Sequence, residues 1–271
     1  MNPVATMGDA TVNRLAGFGD FCRFSGRTLA YSLTGAGQPR MYRLLLMQMF
    51  EVGVRSVPVI MATGVFVGMV LAAQSVLQFQ AAGLEARLGS IINLSVVREL
   101  GPVLAVVMLT GRVGGALSAE LGTMRVTEQI DALRAMGADP VRVLVAPRFV
   151  ACVLLAPVLV LYANATGILG GYAIGVWVYQ INSADFWRHA ANTVQMFDIL
   201  SGLFKSILFA GSMALICCYR GFRCRSGAAG VGRACRESFV ETCLTILVLD
   251  FFAGMVQNTV YVMTWGRSAP V

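Results

Sequence analysis

Five long apolar segments dominate the chain, and short segments rich in Arg separate them. A helix needs about 20 mostly apolar residues to cross the hydrocarbon core of a bilayer. Each of the five segments is long enough, although charged residues interrupt the second, fourth and fifth. The pattern therefore predicts five membrane-spanning helices, at residues 56–84, 88–111, 149–184, 197–219 and 239–263.

The composition agrees with this pattern. Apolar residues make up 57% of the 271 positions and charged residues only 13%. A soluble domain carries about 25% charged residues, which help to cover a surface in contact with water. The chain is therefore predicted to be an all-α polytopic membrane protein. An N-terminal segment at 1–45 precedes the five-span domain, which covers 46–271.

The segment before the first span has the periodicity of an amphipathic helix. At 100° per residue between positions 10 and 33, one face is apolar and the other is charged. This predicts a helix in the cytoplasmic membrane interface, and a disordered basic tail is the alternative. Phe24 and Tyr31 fall on the side opposite the apolar face. The apolar face is formed by Leu15, Phe18, Cys22, Leu29 and Leu33, and the charged face by Asp20, Arg23 and Arg27.

The distribution of Arg residues predicts the orientation of the chain, because cytoplasmic loops carry an excess of Lys and Arg. Six Arg residues precede the first span, five lie between the second and third spans, and five lie between the fourth and fifth. These regions fall on one side of a five-span chain, so we expect a cytoplasmic N-terminus and an external C-terminus. The net charge of +7 indicates loops that face anionic lipid, and not nucleic-acid binding.

The loop between the second and third spans has the sequence pattern of a short connector helix at about 127–137. Thr127 is the predicted N-cap, and Gly137 and Pro140 end the helix. Acidic residues in its first turn and a basic residue in its last turn match the helix dipole. Such a helix either contacts a soluble motor or packs on the base of its own bundle. Its charged residues are Glu128, Asp131 and Arg134, and its apolar edge is Ile130, Leu133 and Met136.

Several common catalytic and metal sites are excluded. The only Lys, Lys205, follows Phe204, so the Gly-Lys-Ser/Thr sequence of an ATP-binding P-loop does not occur. A single His, His189, rules out a two-His zinc motif, and no Gly-x-Ser-x-Gly sequence occurs. We therefore expect no catalytic residue, metal or cofactor in this chain, and any ATP hydrolysis would take place in a partner.

A long motif in the central third of the chain resembles MlaE-type permeases. These permeases are the membrane subunits of ABC transporters that move phospholipid together with MCE-domain proteins. The resemblance covers roughly residues 50–250. The matching sequences are Arg98-Glu-Leu-Gly-Pro102, Gly111-Arg-Val-Gly114, Ala119-Glu-Leu-Gly122, Thr127-Glu-Gln-Ile-Asp-Ala-Leu133, Asp139-Pro140 and Ser226-Gly-Ala-Ala-Gly-Val-Gly232.

The resemblance implies a bacterial inner-membrane permease that moves phospholipid between this membrane and a periplasmic MCE-domain protein and so maintains outer-membrane lipid asymmetry. Two copies would form a dimer, with a lipid site between them that faces the periplasm. A separate ATPase would use ATP and Mg²⁺, and a small STAS-domain protein could bind that ATPase. The residues that the resemblance places against the ATPase are Thr127, Glu128, Gln129, Ile130, Asp131, Leu133 and Arg134.

Four charged residues lie within the predicted spans: Arg98, Glu99, Lys205 and Asp250. A charge at the centre of a bilayer costs at least about 2.5–3.5 kcal/mol, so such residues pair or serve a function. At 1.5 Å per residue, Glu99, Lys205 and Asp250 reach similar depths, in the outer half of the membrane or near its middle. One assignment pairs Lys205 with Glu99 and Asp250 with Arg98. A structural ion-pair network is one interpretation of these residues.

The other interpretation is a polar cavity that opens outward and holds a lipid headgroup. Apolar residues of the first two spans would then contact the acyl chains. The residues predicted for this role are Leu71, Val76, Leu77 and Leu100. On this hypothesis, Glu99→Ala and Lys205→Ala abolish transport and leave the protein assembled.

Two other functions are open from the residues alone. A secondary transporter could use the buried charges as a proton or ion relay, although five spans without a visible inverted repeat suit it poorly. An intramembrane lipid enzyme could use Glu99 or Asp250 as a base, but it lacks a recognisable nucleophile. ATP-independent, gradient-driven flux would identify the first, and chemically altered lipid would identify the second.

Overall fold

The computed structural model of the chain describes residues 3–35, 39–81 and 88–265. Within these ranges the chain forms helices and no strand. Five helical segments are long and apolar enough to cross a membrane, which confirms the predicted all-α polytopic class. We number them spans one to five: Tyr42–Val76, Leu88–Val126, Val141–Val178, Met196–Phe222 and Ala228–Met263.

The described residues form eleven α-helices, some of which follow each other within one span. They are α1 (Pro3–Gly35), α2 (Pro39–Val52), α3 (Val57–Ala81), α4 (Leu88–Ser95), α5 (Gly101–Leu109), α6 (Gly115–Val126), α7 (Gln129–Ala135), α8 (Ala146–Tyr172), α9 (Ser183–Thr193), α10 (Met196–Phe222) and α11 (Ala228–Trp265). Wider π-helical turns occur in spans two and three, at Val96–Leu100, Thr110–Gly114, Val141–Val145 and Ala173–Val178.

The ends of two spans differ from the predicted ones, because these helices do not end where the first charged residue occurs. The apolar run predicts one span to residue 184, but span three ends at Val178. Gln180 adopts φ 54°, and the Asn182 side chain accepts the Ala184 N–H at 2.9 Å to start α9. Span two continues beyond its predicted end at 111, as far as Val126. The predicted end of span one, at residue 84, lies outside the described residues.

Spans one and three pack closely through glycines, as glycines spaced four residues apart suggest. A Cβ at Gly68 would lie 1.8 Å from the carbonyl oxygen of Gly167, and one at Gly64 would lie 2.5 Å from that of Ala163. Small residues let two helix backbones approach in this way. Gly115, which has the same spacing from Gly111, has nothing within 4 Å of such a Cβ. The four-residue spacing therefore marks a close approach at Gly64 and Gly68, but not at Gly111 and Gly115.

Span five is the least buried of the spans. Only 11% of its most apolar window is buried, compared with 56% for span three. Large apolar side chains such as Leu244, Phe251 and Met255 are exposed along α11. This surface must face either lipid or another protein.

Helix α1 docks on the bundle with the side that holds Phe24 and Tyr31. Phe24 makes edge-on ring contacts with Tyr219 and Phe222 at the end of α10, and Thr28 beside it is fully buried. The predicted apolar face points away from the bundle and is exposed. This face is therefore free to contact the membrane interface. Phe24 and Tyr31, which lie opposite the predicted apolar face, form the contact with the bundle. The exposed residues are Leu15, Phe18, Cys22, Leu29 and Leu33.

Asp139, just after α7, ties α1 to the connector helix. Its carboxylate accepts hydrogen bonds from Arg27 at 2.5 Å, from the Tyr31 hydroxyl at 2.7 Å and from the Val141 N–H at 3.0 Å. Burial by itself would raise the pKa of Asp139, but these three donors outweigh it and hold the pKa below its ordinary value. The ionised carboxylate therefore stabilises the docked position of α1.

We expect Asp139→Asn to raise the hydrogen-exchange rate of α1 amides about tenfold, because hydrogen bonds to an ionised partner are lost. In the unsubstituted protein this protection should persist from neutral pH to about pH 4 and disappear as the pH falls through the lowered pKa of Asp139. Asp131→Asn removes a carboxylate from α7 and should not change exchange in α1. Equal protection of α1 in the Asp139→Asn variant would contradict the proposed tie.

Candidate functional site

Three charged side chains meet within the membrane-spanning region, and we call them the ion triad. The Lys205 ammonium on α10 lies 2.5 Å from a carboxylate oxygen of Glu99 and 3.0 Å from one of Asp250 on α11. The predicted pair between Lys205 and Glu99 is confirmed. The predicted pair between Arg98 and Asp250 is wrong, because Lys205 is long enough to donate to both carboxylates.

A close crossing of α10 over span two brings the triad together. Gly202 lies one turn before Lys205, and a Cβ there would be 2.5 Å from the Val97 carbonyl oxygen. Glu99 lies in the π-helical turn Val96–Leu100, which ends two residues before Pro102. Proline has no N–H for a carbonyl one turn earlier, and a wider turn accommodates that loss. The sequence predicts a distortion at Pro102, but not that it widens the turn holding Glu99.

Arg98 pairs instead with Asp198 in the first turn of α10, at 2.6 Å. The same carboxylate accepts the Gln195 N–H at 2.9 Å and so caps the helix. The Arg98 guanidinium also lies 5.1 Å from the centre of the Tyr261 ring. Asp198 is not among the four intramembrane charges predicted from the sequence. The spacing Gln195-x-x-Asp198 before an apolar run was the available signal, since it fits a capping box.

The members of the ion triad differ in exposure. The Lys205 side chain is 2% exposed, whereas the Glu99 side chain is 46% exposed. Gly254, one turn after Asp250, lies directly beside them, since a Cβ there would be 3.9 Å from the ammonium. Two carboxylates and one ammonium give the ion triad a net charge of −1. A ligand would therefore reach Glu99 first, with Lys205 behind it.

An apolar groove of about 460 Å³ opens between α10 and α11, with Lys205 in its wall. Phe204 on α10 and Phe252 on α11 form its two sides. The Gln257 side-chain amide donates a hydrogen bond of 2.9 Å to the Ser201 hydroxyl and so links the two helices. The groove thus joins a long apolar surface to a charged group, as a lipid requires. These lining residues were not predicted, because an apolar residue in a span carries no sequence signal for the direction in which its side chain points. The other apolar lining residues are Phe197, Leu200, Leu208, Leu249, Ala253, Val256 and Val260.

The apolar residues predicted to contact acyl chains do not line this groove. Val76 is buried, and Leu71 packs beside it against the cluster beneath α9 that includes Ile92 and Phe186. Leu100 borders a separate small cavity between α3 and span two. The side chain of Leu77 lies outside the described residues. These residues were predicted as apolar residues of the first two spans, and in the structure Leu71 and Val76 pack with Ile92 and Phe186 instead.

The connector helix exists, but its start differs from the predicted one. Thr127 ends α6, and its hydroxyl donates to the Thr123 carbonyl, so it does not cap α7. Glu128 precedes α7 with φ 60°, a left-handed conformation that is uncommon for a residue with a side chain. The predicted end is confirmed, since Gly137 has φ 76° and its N–H donates to the Arg134 carbonyl at 2.9 Å.

Each of the two predicted roles of the connector helix fits one of its two faces. Ile130 is fully buried against the bundle, as a helix packed on its own base requires. Met136 on the outer side is 73% exposed. Asp131 pairs with Arg125 at 2.6 Å and with Arg134 at 3.0 Å, which holds α7 against the end of α6. A firmly held helix with exposed charged and apolar residues suits contact with a partner. The exposed residues are Thr127, Glu128, Gln129, Asp131, Arg134 and Met136, and Leu133 is half-buried.

The described part of the chain contains no group of three His, Cys, Asp or Glu placed to hold a metal ion. All seven Cys side chains are free, and burial among apolar neighbours is typical of a Cys that acts as a small apolar residue. The ion triad and the apolar groove beside it can together bind and orient a charged amphiphile.

Comparison with known proteins gives one family and several relatives. The family model described as "Permease MlaE" matches residues 45–256. The intermembrane phospholipid transport system permease protein MlaE of Haemophilus influenzae is 39% identical, over 86% of this chain and 91% of its own length. A probable ABC transporter permease protein of Rickettsia conorii is 37% identical, over 92% of this chain and 95% of its own. The chloroplastic protein TRIGALACTOSYLDIACYLGLYCEROL 1 of Arabidopsis thaliana is 35% identical, over 78% of this chain and 60% of its own.

Proposed function

The chain belongs to the MlaE permease family, and we propose from this membership that its ion triad and connector helix divide the work of phospholipid transport. The protein is a multi-pass membrane subunit of an ABC transporter for intermembrane phospholipid transport. It is the membrane component of that transporter and not its catalytic one. The comparisons support this function, and nothing in them favours an ion-coupled secondary transporter.

The ion triad beside the apolar groove is the observation that carries the proposed mechanism. An amine or phosphate headgroup would meet Glu99 and Lys205, while acyl chains lie along Phe204 and Phe252. A bilayer core penalises both charges, so a headgroup with complementary charge gains more there than it would in water. Separation of Glu99 from Lys205 would then accompany entry and release of the lipid.

We propose that the connector helix transmits the energy of ATP hydrolysis. The exposed surface of α7 would lie in a groove of a separate ATPase, which binds ATP and Mg²⁺. The ties from α7 to α6 and, through Asp139, to α1 would carry its displacement into the bundle. Since the Asp131 pairs and the Asp139 hydrogen bonds are short, a push on α7 moves these elements together.

The partners follow from the family and from the exposed surfaces. A second copy would cover the α10–α11 groove, so that a lipid site forms between the two copies. An MCE-domain protein would receive or deliver lipid at the end that carries α9, and a STAS-domain protein could bind the ATPase. With these partners, we propose that the protein lies in the bacterial inner membrane, with its N-terminus cytoplasmic and its C-terminus periplasmic.

The function is tested by reconstituting the chain with its ATPase and an MCE-domain protein in vesicles that contain labelled phospholipid. We expect ATP-dependent movement of label, and Glu99→Gln should reduce its rate at least about tenfold, since a charge-assisted contact is lost. Glu51→Gln is the matched control, because Glu51 on α2 is 47% exposed and is paired with Arg55. Flux driven by an ion gradient without ATP would contradict the proposal, and so would equal rates in the two variants.

A further inference from the structure

A basic pocket of about 630 Å³ lies between the last turn of α10 and the first turns of α11. It is at the same end of the bundle as α7, because Arg223 in its wall contacts Asp20 of α1, the helix that is tied to the connector helix. Its charged lining has three positive charges in excess. The charged residues are Arg220, Arg223, Arg225, Arg233, Arg236, Glu237 and Glu241.

Two of these arginines are available to a ligand. Three are held by carboxylates: Arg220 by Glu237 and Glu241, Arg223 by Asp20, and Arg233 by Glu237. Within the described part of the chain, neither Arg225 nor Arg236 forms an ion pair, and both are exposed. Each guanidinium is a planar fork of donors that matches two oxygens of a phosphate.

The loop before α11 is built to keep Arg225 in the wall of this pocket. Gly227 turns the chain with φ 83°, a conformation that favours glycine. The Arg225 carbonyl then lies against the first turn of α11, where a Cβ at Gly230 would be 2.1 Å from its oxygen. This geometry gives a physical reason for Gly227 and Gly230 in the 226–232 stretch, which the ion triad and the connector helix leave unexplained.

An apolar stripe leads from the basic pocket along α11. Val240 lines the pocket and is 54% exposed, and Leu244, Leu247 and Phe251 follow on the same face, each 59–65% exposed. The eleven-residue separation from Val240 to Phe251 corresponds to about 16 Å of helix, which is close to half the thickness of a bilayer core. At 100° per residue, this stripe lies on a different face of α11 from Val256, which lines the apolar groove.

We propose that the basic pocket binds the phosphate group of an anionic phospholipid from the leaflet at the α7 end, with an acyl chain on the stripe. A phosphate fits the two unpaired guanidinium groups, and the stripe favours a lipid over a small soluble phosphate ester as its carrier. The site is separate from the ion triad. That the phosphate group belongs to a lipid rests on the proposed function. The preference for a phosphate group follows from the two unpaired arginines alone.

The test measures lipid retention by the purified full chain without ATP, so it does not depend on transport. The chain is exchanged into neutral detergent, and bound phosphatidylglycerol is counted by native mass spectrometry as the lipid is titrated. We expect the Arg225→Gln/Arg236→Gln variant to bind phosphatidylglycerol at least about tenfold more weakly. Arg142→Gln is the control, because Arg142 is also an exposed arginine at this end of the bundle, and it should bind normally.

The remaining measurements identify the molecule that carries the phosphate group and exclude a folding defect. Phosphatidylcholine, which has no net charge, should bind more weakly, and neither inorganic phosphate nor glycerophosphoglycerol should displace phosphatidylglycerol at equal concentration. Displacement by the soluble compounds would support a phosphate site but overturn the lipid carrier. Arg225→Lys/Arg236→Lys keeps the charge and should lose less affinity than the Gln variant. Equal binding by the Gln variant, Arg142→Gln and the unsubstituted chain would overturn the site itself, whatever the transport assay gives.

Discussion

Replacing Lys205 with methionine is expected to lower the free energy of unfolding by about 3–5 kcal/mol and to abolish phospholipid transport. The ammonium is almost fully buried and is shared by Glu99 and Asp250. Its loss leaves two carboxylates side by side without a counter-charge, in surroundings where such charges cost most. Methionine is apolar and similar in length, so lost volume contributes little. Unfolding in mixed micelles and ATP-driven transfer of labelled lipid measure the two effects.

A charge-balanced variant separates the two interpretations of the ion triad. Lys205→Met combined with Glu99→Gln and Asp250→Asn removes all three charges and should recover most of the lost stability, because no unpaired charge remains. Transport should stay abolished, since the groups that meet the headgroup are gone. If this triple variant transported lipid normally, the ion triad would be a structural network and the headgroup proposal would be wrong.

Hydropathy and charge positions predict most of the fold, because a bilayer forces long apolar segments to become helices. The five spans, the connector helix and the pair between Lys205 and Glu99 follow from that rule and from depth along each span. Depth alone leaves the direction of a side chain undetermined. For that reason Leu71 and Val76 match the groove in character but pack against α4 and α9 instead.

The pairing of Asp250 shows what else the sequence lacks. Arg98 and Lys205 reach similar depths, and either could hold Asp250. The choice depends on the crossing at Gly202 and on the π-helical turn that orients Arg98 and Glu99. Both are contacts between distant segments, so local periodicity does not carry them. The pair between Lys205 and Glu99 was predictable from depth, whereas the partners of Arg98 and Asp250 were not.

The second large effect is expected at Glu128, where glycine should uncouple ATP hydrolysis from lipid transport and reduce the transport rate at least about tenfold. The carboxylate is exposed at the start of α7, where basic residues of an ATPase would meet it. Loss of such a charge-assisted contact accounts for an effect of this size. Because Glu128 has φ 60°, glycine relieves its backbone and should not destabilise the chain. The readouts are ATPase co-purification and ATP-dependent lipid transfer.

Gln180 provides the matched control for this change. Apart from Glu128, it is the non-glycine residue with positive φ in the described part of the chain, and it is exposed beyond span three, before α9. Gln180→Gly gives the same backbone relief at the opposite end of the bundle, so it should leave ATPase binding and transport unchanged. If both variants lost coupling equally, the effect would come from backbone flexibility and not from the carboxylate. If neither lost coupling, Glu128 would not contact the ATPase, and the proposed role would pass to the remaining exposed side chains of α7, Gln129 and Arg134 among them.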